Sequence, residues 1–184
     1  MEDYRPPRAQ KSQPHPISEG IAGVEAMIEA AESPAERALV ALTGLCALRV
    51  SEARSVKCAD FDISDLTRVS VTVRGKGDKQ RTVPVSARAW EAVQYAFIQA
   101  HNSGAYLVPL SDSGARRAFS RIGRKAGLAR PVASHDGRAT LATAALNGGA
   151  NIRVVQEILG HASVTTTQVY TGVSNDSMRE AVTF

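Results

Sequence analysis

Apolar residues recur along most of the chain at helical spacing, and the period shortens to two only between about residues 59 and 85. A helix is expected over about 18–31. Ser33, Pro34 and Glu36 then supply an N-cap hydroxyl, a first-turn proline and a capping-box carboxylate. The helix they open presents Leu39, Val40, Leu42 and Leu45 as its apolar face. Ser51 and Glu52 open another short helix, which leaves Arg49 at a helix–helix junction. "DFDISD", "VSVTVRG" and "RTVPVS" alternate between turn residues and predict a three-stranded antiparallel meander, with "RGKGDKQR" as its last hairpin. A helix over about 87–101 carries Trp90, Val93, Phe97 and Ile98 as core, and another covers about 112–126. "HDGRATLATAALNGG" makes a helix that ends at a glycine pair. Asn151 caps "IRVVQEIL", which Gly160 stops. Ser163 can cap a last turn or two carrying Tyr170, and residues 175–182 form a short terminal helix. The pattern predicts a mainly helical (α+β) fold with one small sheet and no internal repeat.

Length and composition narrow this picture. A chain of 184 residues holds one good core, or one domain and a short appendage. Residues 1–17 contain four prolines and no periodicity, so they read as a linker leading in from a further N-terminal domain. The domain itself is expected over 18–173, with 174–184 as a tail. No apolar run approaches the ~18 residues of a membrane span, and "MEDYRPPRAQKSQPHP" lacks the apolar stretch of a secretory signal. Cys46 and Cys58 stand alone, without metal-ligand spacing, which fits two buried thiols in a reducing cytosol.

The net charge of +4 is unevenly spread. Glu19, Glu25, Glu29, Glu32 and Glu36 lie in a stretch with no basic residue. Arg116, Arg117, Arg121, Arg124, Lys125, Arg130 and Arg138 lie in another, whose one acid is Asp136. Such a basic segment suits a polyanion, and nucleic acid leads the candidates; a solvated helix face is the plain alternative.

Six residues carry potential chemistry. Arg49 sits on an otherwise apolar segment, where a guanidinium is costly to bury unless it is paired or faces a ligand. An ion pair with Glu52 would also explain it. Lys76 lies between Gly75 and Gly77 at a hairpin tip, where solubility alone is a sufficient reason for a lysine. His135 and Arg138 are one helical turn apart, His161 follows a helix-ending Gly160, and Tyr170 stands nine residues further on. Taken together, the set matches what phosphodiester cleavage needs. Arginine forks hold non-bridging oxygens, histidine exchanges protons near neutrality, lysine protonates a leaving oxygen, and tyrosine can form a covalent phosphoester.

"LCALRVSEA", "VRGKGDKQRTVPV", "SHDGRATLATAAL" and "LGHASVTTTQVYTGV" occur in this order and resemble the catalytic domain of the tyrosine recombinase (phage integrase) family over about residues 18–173. The resemblance implies the helical catalytic fold of that family. Arg49 and Arg138 would be the phosphate clamp and Tyr170 the nucleophile that forms a 3′-phosphotyrosyl link. Lys76 would be the general acid, and His135 and His161 proton-handling partners. Glu52 would orient the first arginine or a histidine. Arg74, Lys79, Arg81, Arg116, Arg117, Arg121, Arg124 and Lys125 are the expected DNA contacts. The resemblance implies no metal and no cofactor. Its implied partners are double-stranded DNA attachment or core sites, a homo-tetramer on DNA formed from free monomers, and accessory DNA-bending or directionality proteins, all in a bacterial cytoplasm. The tail would dock between protomers on DNA, and in cis or not at all in the free domain.

One departure stands out. Family members often carry a bulky apolar residue just before the second arginine and a histidine after it; here the stretch is His135-Asp136-Gly137-Arg138-Ala139. Gly137 is expected to remove packing, and Asp136 to set a negative charge beside the phosphate. An inactive DNA-binding module would need a broken catalytic set, and the set is complete. A type IB topoisomerase-like relaxing enzyme shares the chemistry, but the short chain and the spacing from His161 to Tyr170 favour a recombinase. Within the family, the hairpin and tail point to a phage-type integrase rather than a host chromosome-dimer resolvase.

Overall fold

Local capping sets the helix boundaries. In the computed structural model, which describes residues 15–75, 80–160 and 175–183, Ser33 Oγ accepts from the Glu36 amide (3.2 Å) and starts α2, Pro34–Gly44, after α1, Gly20–Ala30. The Glu36 carboxylate accepts from the Glu32 amide (3.0 Å), closing the turn between the two helices. A short α3, Val50–Ser55, and a 3₁₀ turn, Cys58–Asp60, lead into β1, Phe61–Asp62, β2, Ser70–Arg74, and β3, Gln80–Pro84. Then come α4, Ala87–Ser103, α5, Asp112–Lys125, α6, Ser134–Asn147, α7, Ile152–Leu159, and α8, Asn175–Glu180. Asn151 Oδ1 caps α7 through the Arg153 amide (2.8 Å), and Gly160 ends it in the left-handed region at φ +57°.

The expected mainly helical fold with an antiparallel β1-β2-β3 meander is therefore present. Its centre is α2, where every residue from Ala38 to Gly44 is buried, so this stretch is enclosed all round rather than on one face, with the Thr43 hydroxyl donating to the Leu39 carbonyl (2.8 Å). α1, α4, α5 and α6 surround it. On the sheet, Val71 pairs with Val83 and Val73 with Arg81, all facing inward, while the Thr72 and Thr82 hydroxyls meet on the outer face at 3.1 Å.

Four expectations change. Ile98 is not core but 54% exposed. Five residues past Val93, it lies on the opposite side of the helix from the buried stripe of Ala89, Val93, Ala96 and Ala100. Trp90 and Phe97 are partly buried and join Phe61 in an aromatic cluster with ring centroids 5.3–5.9 Å apart.

Gly137 does not remove packing. A Cβ there would stand 3.2 Å from the Phe119 ring and 3.3 Å from the Gly44 Cα, so this glycine lets α6 approach α2 closely.

Asp136 is not a bare negative charge, and it lies 3.6 Å from His135 Nε2. It is buried at the start of α6, where its carboxylate accepts from the Ala133 amide (3.0 Å) and the His15 amide (3.3 Å) and pairs with Arg130.

The end of the expected linker belongs to the domain. Ile17 is buried and its amide donates to Thr140 Oγ1 (2.8 Å), while Arg130 holds the carbonyls of His15 and Pro16 (2.8 and 2.6 Å).

α8 lies on its own chain, packed against α7 and β3, with Met178, Ala181 and Val182 buried. Burial pushes the Cys46 thiol up to about 12, which makes it an inert core group, whereas Cys58 is only half-buried. No helix among the described residues is long and apolar enough to cross a membrane. The expected roles of Lys76, Lys79, His161, Ser163 and Tyr170 fall outside the described residues.

Candidate functional site

Arg49 is the residue before α3, and its position is set by the third residue of that helix. Glu52 Oε2 accepts from the Arg49 amide (2.7 Å) and Oε1 from Arg49 Nη1 (2.8 Å), so one carboxylate orients both the backbone and the guanidinium. The Arg49 side chain remains 43% exposed. Arg49 is thus ion-paired with Glu52 while part of its guanidinium side chain faces solvent.

Arg138 reaches the same place from the second turn of α6. Its Nη1 donates to the carbonyl of Ala47 (2.5 Å) and its Nη2 to the carbonyl of Leu159, the last residue of α7. Ala47 is the non-glycine residue with positive φ among the described residues, at 54°. That conformation costs a non-glycine residue about 1–2 kcal/mol, and here it turns a carbonyl toward the guanidinium. His135, one turn before Arg138, stands 38% exposed at the start of α6.

Arg49, His135, Arg138 and Arg116 line one cleft of about 450 Å³. A larger depression of about 850 Å³, among α1, α2 and α4, contains none of these residues. The basic side chains Arg49, Arg116 and Arg138 converge on the smaller cleft.

Beneath the cleft lies a charge cluster. Arg81 sends Nη1 and Nη2 to the two Glu52 oxygens (2.7 and 2.9 Å), and its Nε donates to the Ile158 carbonyl (3.0 Å). Three guanidinium cations against one carboxylate leave positive charge uncompensated, the condition for holding a phosphate. Burial, and then the neighbouring Arg49 charge, push Arg138 down to about 10, with Glu52 acting the other way. Arg138 thus stays cationic at neutral pH.

Burial would raise the Glu52 carboxyl, but hydrogen bonds from Arg81 and Arg49 outweigh it and hold the group at about 2, against an ordinary 4.5. A carboxyl lowered on folding contributes stability that is complete above its unfolded pKa and is lost as pH falls through the folded value. The expected contribution is on the order of 3 kcal/mol. Wild type should therefore exceed Glu52→Gln in stability at pH 6, and the gap should close as pH falls from about 4.5 toward 2. Urea melts across that range check this, and a gap independent of pH would contradict it.

The expected DNA contacts divide into groups. Arg74, Arg116, Arg117 and Arg124 are exposed, with Arg116 also paired to Asp112 (2.7 Å). Arg121 bridges Glu32 and Glu36, and Lys125 pairs with Glu32 (2.7 Å). The acidic and basic stretches of the sequence therefore partly neutralise each other across the α1–α2 turn and α5. Arg81, with 9% of its side chain exposed, is turned inward rather than toward solvent. A sequence signal for this existed: Arg81, Val83 and Val85 alternate onto the same strand face, and both valines are buried.

Residues 22–176 match the phage integrase family. The chain is 40% identical over 156 residues to tyrosine recombinase XerD of Corynebacterium glutamicum, covering 79% of this chain and 50% of that protein. It is 37% identical over 145 residues to tyrosine recombinase XerC of Listeria innocua, covering 72% and 47%. The chain thus spans about half the length of these curated relatives. Among solved structures, an integrase from mycobacterium phage Brujita superposes with a TM-score of 0.73 at 26% identity, covering 96% of this chain and 59% of that one. The crystal structure of XerA recombinase gives 0.70 at 33% identity, covering 96% and 65%.

Proposed function

The chain belongs to the phage integrase family of tyrosine recombinases, and we propose that it cleaves and rejoins double-stranded DNA at a specific site through a covalent phosphotyrosyl intermediate. The observation that carries this reading is the convergence of Arg49, His135 and Arg138, from two helix starts far apart in sequence, on one positively charged cleft.

In this reading the Tyr170 phenolic oxygen attacks the scissile phosphorus, forming a 3′-phosphotyrosyl ester as the bond to the 5′ oxygen breaks. Lys76 supplies the proton that the departing 5′ oxygen takes up. Arg49 and Arg138 bind the non-bridging oxygens and offset the charge that grows in the transition state. His135 and His161 exchange protons and hydrogen-bond the phosphate. A 5′ hydroxyl from a partner strand then attacks the tyrosyl ester and restores a phosphodiester. One ester replaces another in each step, so the sequence of steps requires no high-energy cofactor. The working unit is a tetramer on two duplexes, assembled from monomers in a bacterial cytoplasm, with accessory bending or directionality proteins as further partners.

Two finer readings share this chemistry. The fold likeness to a phage integrase supports integration of one DNA into another, and the 40% identity to XerD supports a Xer-type role. Recombination between two unlike sites is the outcome for an integrase, and recombination between two identical sites the outcome for a Xer-type enzyme.

A nicked suicide duplex tests the core proposal: a covalent protein–DNA band is expected, and its absence would remove the assignment. Strand exchange between two duplexes then separates a recombinase from an enzyme that only relaxes supercoils.

DNA affinity should be shared unevenly along α5. Arg117 and Arg124 are exposed, and no ion pair holds them among the described residues. Each phosphate contact contributes about −0.9 to the slope of log K against log salt. Arg117→Ala with Arg124→Ala should flatten that slope by up to ~2, and Arg121→Ala, which already serves Glu32 and Glu36, by less. Equal changes for all three arginines would show that the intramolecular pairs open on DNA.

A further inference from the structure

Resting on that reading, we infer that Arg81 is a positioning residue of the cleavage site rather than a DNA contact: it ties Glu52, and through it Arg49, to the end of the helix that precedes His161. The inference begins with the strand. Arg81 pairs with Val73 and shares its inward face with Val83, so the pleat itself directs the guanidinium under the cleft. There its three donor atoms are all engaged. Two meet the two oxygens of Glu52, at 2.7 and 2.9 Å, and the third meets the Ile158 carbonyl at 3.0 Å.

The other side of Glu52 holds Arg49 by its amide and its Nη1 (2.7 and 2.8 Å). A single buried carboxylate thus joins a strand arginine to the arginine of the proposed phosphate clamp. The planar fork of Arg81 fixes the plane of that carboxylate, and the carboxylate plane fixes the direction of Arg49.

The contact with α7 makes Arg81 more than a local brace. Gly160, which directly precedes His161, takes φ +57°, and a Cβ there would lie 2.8 Å from Arg81 Cδ and 3.0 Å from its Nε and Nη1. The glycine is therefore required twice, by its backbone conformation and by the arginine stem against it. Arg138 takes the neighbouring Leu159 carbonyl. The last turn of α7 is thus clamped by Arg81 from the sheet and by Arg138 from α6, at the point where the chain leaves toward His161 and Tyr170.

With Arg81 removed, Glu52 keeps Arg49 as its partner and is free to turn toward it, which draws the Arg49 guanidinium away from the phosphate. The loss would appear as misdirected catalysis and not as weak binding. The test uses the nicked suicide duplex with one non-bridging oxygen of the scissile phosphate replaced by sulfur, each diastereomer supplied separately. The ratio of the two adduct rates reports how the arginines address the individual oxygens, and it does not depend on how much enzyme is active.

Arg81→Met should slow adduct formation on the order of 10–100-fold, the range typical when an outer partner of a functional ligand is lost. The duplex affinity and its salt slope should stay as in wild type. The diastereomer ratio should move toward that of Arg49→Ala. Arg81→Lys should recover part of the rate, because one ammonium cannot reach both carboxylate oxygens and the carbonyl together.

Glu52→Gln with Arg81→Met buries no unpaired charge, so it remains informative if Arg81→Met alone fails to fold. If Arg81 acts chiefly through Glu52, this double variant should lose little rate beyond Glu52→Gln alone, the remainder being its contact with the Ile158 carbonyl. A salt slope reduced by ~0.9 in Arg81→Met would make Arg81 a phosphate contact instead. An unchanged diastereomer ratio, or multiplicative losses in the double variant, would reduce Arg81 to a stabilising residue. A wild-type chain that forms no adduct with either diastereomer overturns the proposed function and this inference with it.

Discussion

Tyr170→Phe is expected to abolish the covalent adduct completely while leaving duplex binding nearly unchanged. The substitution removes one hydroxyl oxygen, and in the proposed reaction that oxygen is the atom that bonds phosphorus. The phenylalanine ring carries no atom that can take its place, so the loss is total rather than graded. The chain has four tyrosines, and the two in described helix or loop positions are poor substitutes. Tyr95 is 58% exposed on the outer face of α4, and Tyr106 is 46% exposed beneath the Lys57 ammonium, 4.8 Å from its ring centroid. Neither lines the cleft that holds Arg49 and Arg138. The measurement is a labelled nicked duplex resolved on a denaturing gel, with binding followed separately under native conditions. An adduct that persists in the phenylalanine variant would place the nucleophile elsewhere and detach the cleft from Tyr170.

Arg138→Ala should slow adduct formation by 10²–10³-fold or more, since removal of one preorganised oxyanion donor costs roughly 3–4 kcal/mol. The structure adds a second loss. The guanidinium also caps the carbonyls of Ala47 and Leu159, which would lose their donor on truncation. Arg138→Lys keeps the charge but not the fork, and a single ammonium cannot serve two backbone carbonyls and a phosphate together. Its rate should therefore stay close to that of the alanine variant. Single-turnover adduct formation at saturating protein measures this, with a thermal melt to show that both variants are folded. Near wild-type cleavage by Arg138→Lys would sink the clamp assignment.

Features whose causes lie within a few residues of each other are legible in the chain alone. The helix starts at Ser33 and Asn151 and the stop at Gly160 are local hydrogen-bond and backbone effects, and the structure has each of them. The meander was legible because alternation is a two-residue property. The pairing of Glu52 with Arg49 spans three residues, one helical turn, and was foreseen for the same reason.

Features that join residues far apart in sequence emerge with the folded arrangement. Arg138 meets Ala47 across 91 positions and Leu159 across 21, and neither carbonyl bears any mark in the sequence. Gly137 gains its use from Gly44 and Phe119, which pack against it from elsewhere in the chain, and a glycine's use depends on what approaches it. The basic stripe of α5 is partly paired, with Glu32 and Glu36 beside Arg121 and Lys125; charge sums along a chain cannot register pairing across 85 to 93 residues. Arg81 lies between the two cases. Strand alternation assigns it to the inner face, but a guanidinium is costly to bury without a counter-charge, and the carboxylate that makes its burial possible comes from a helix 29 residues earlier.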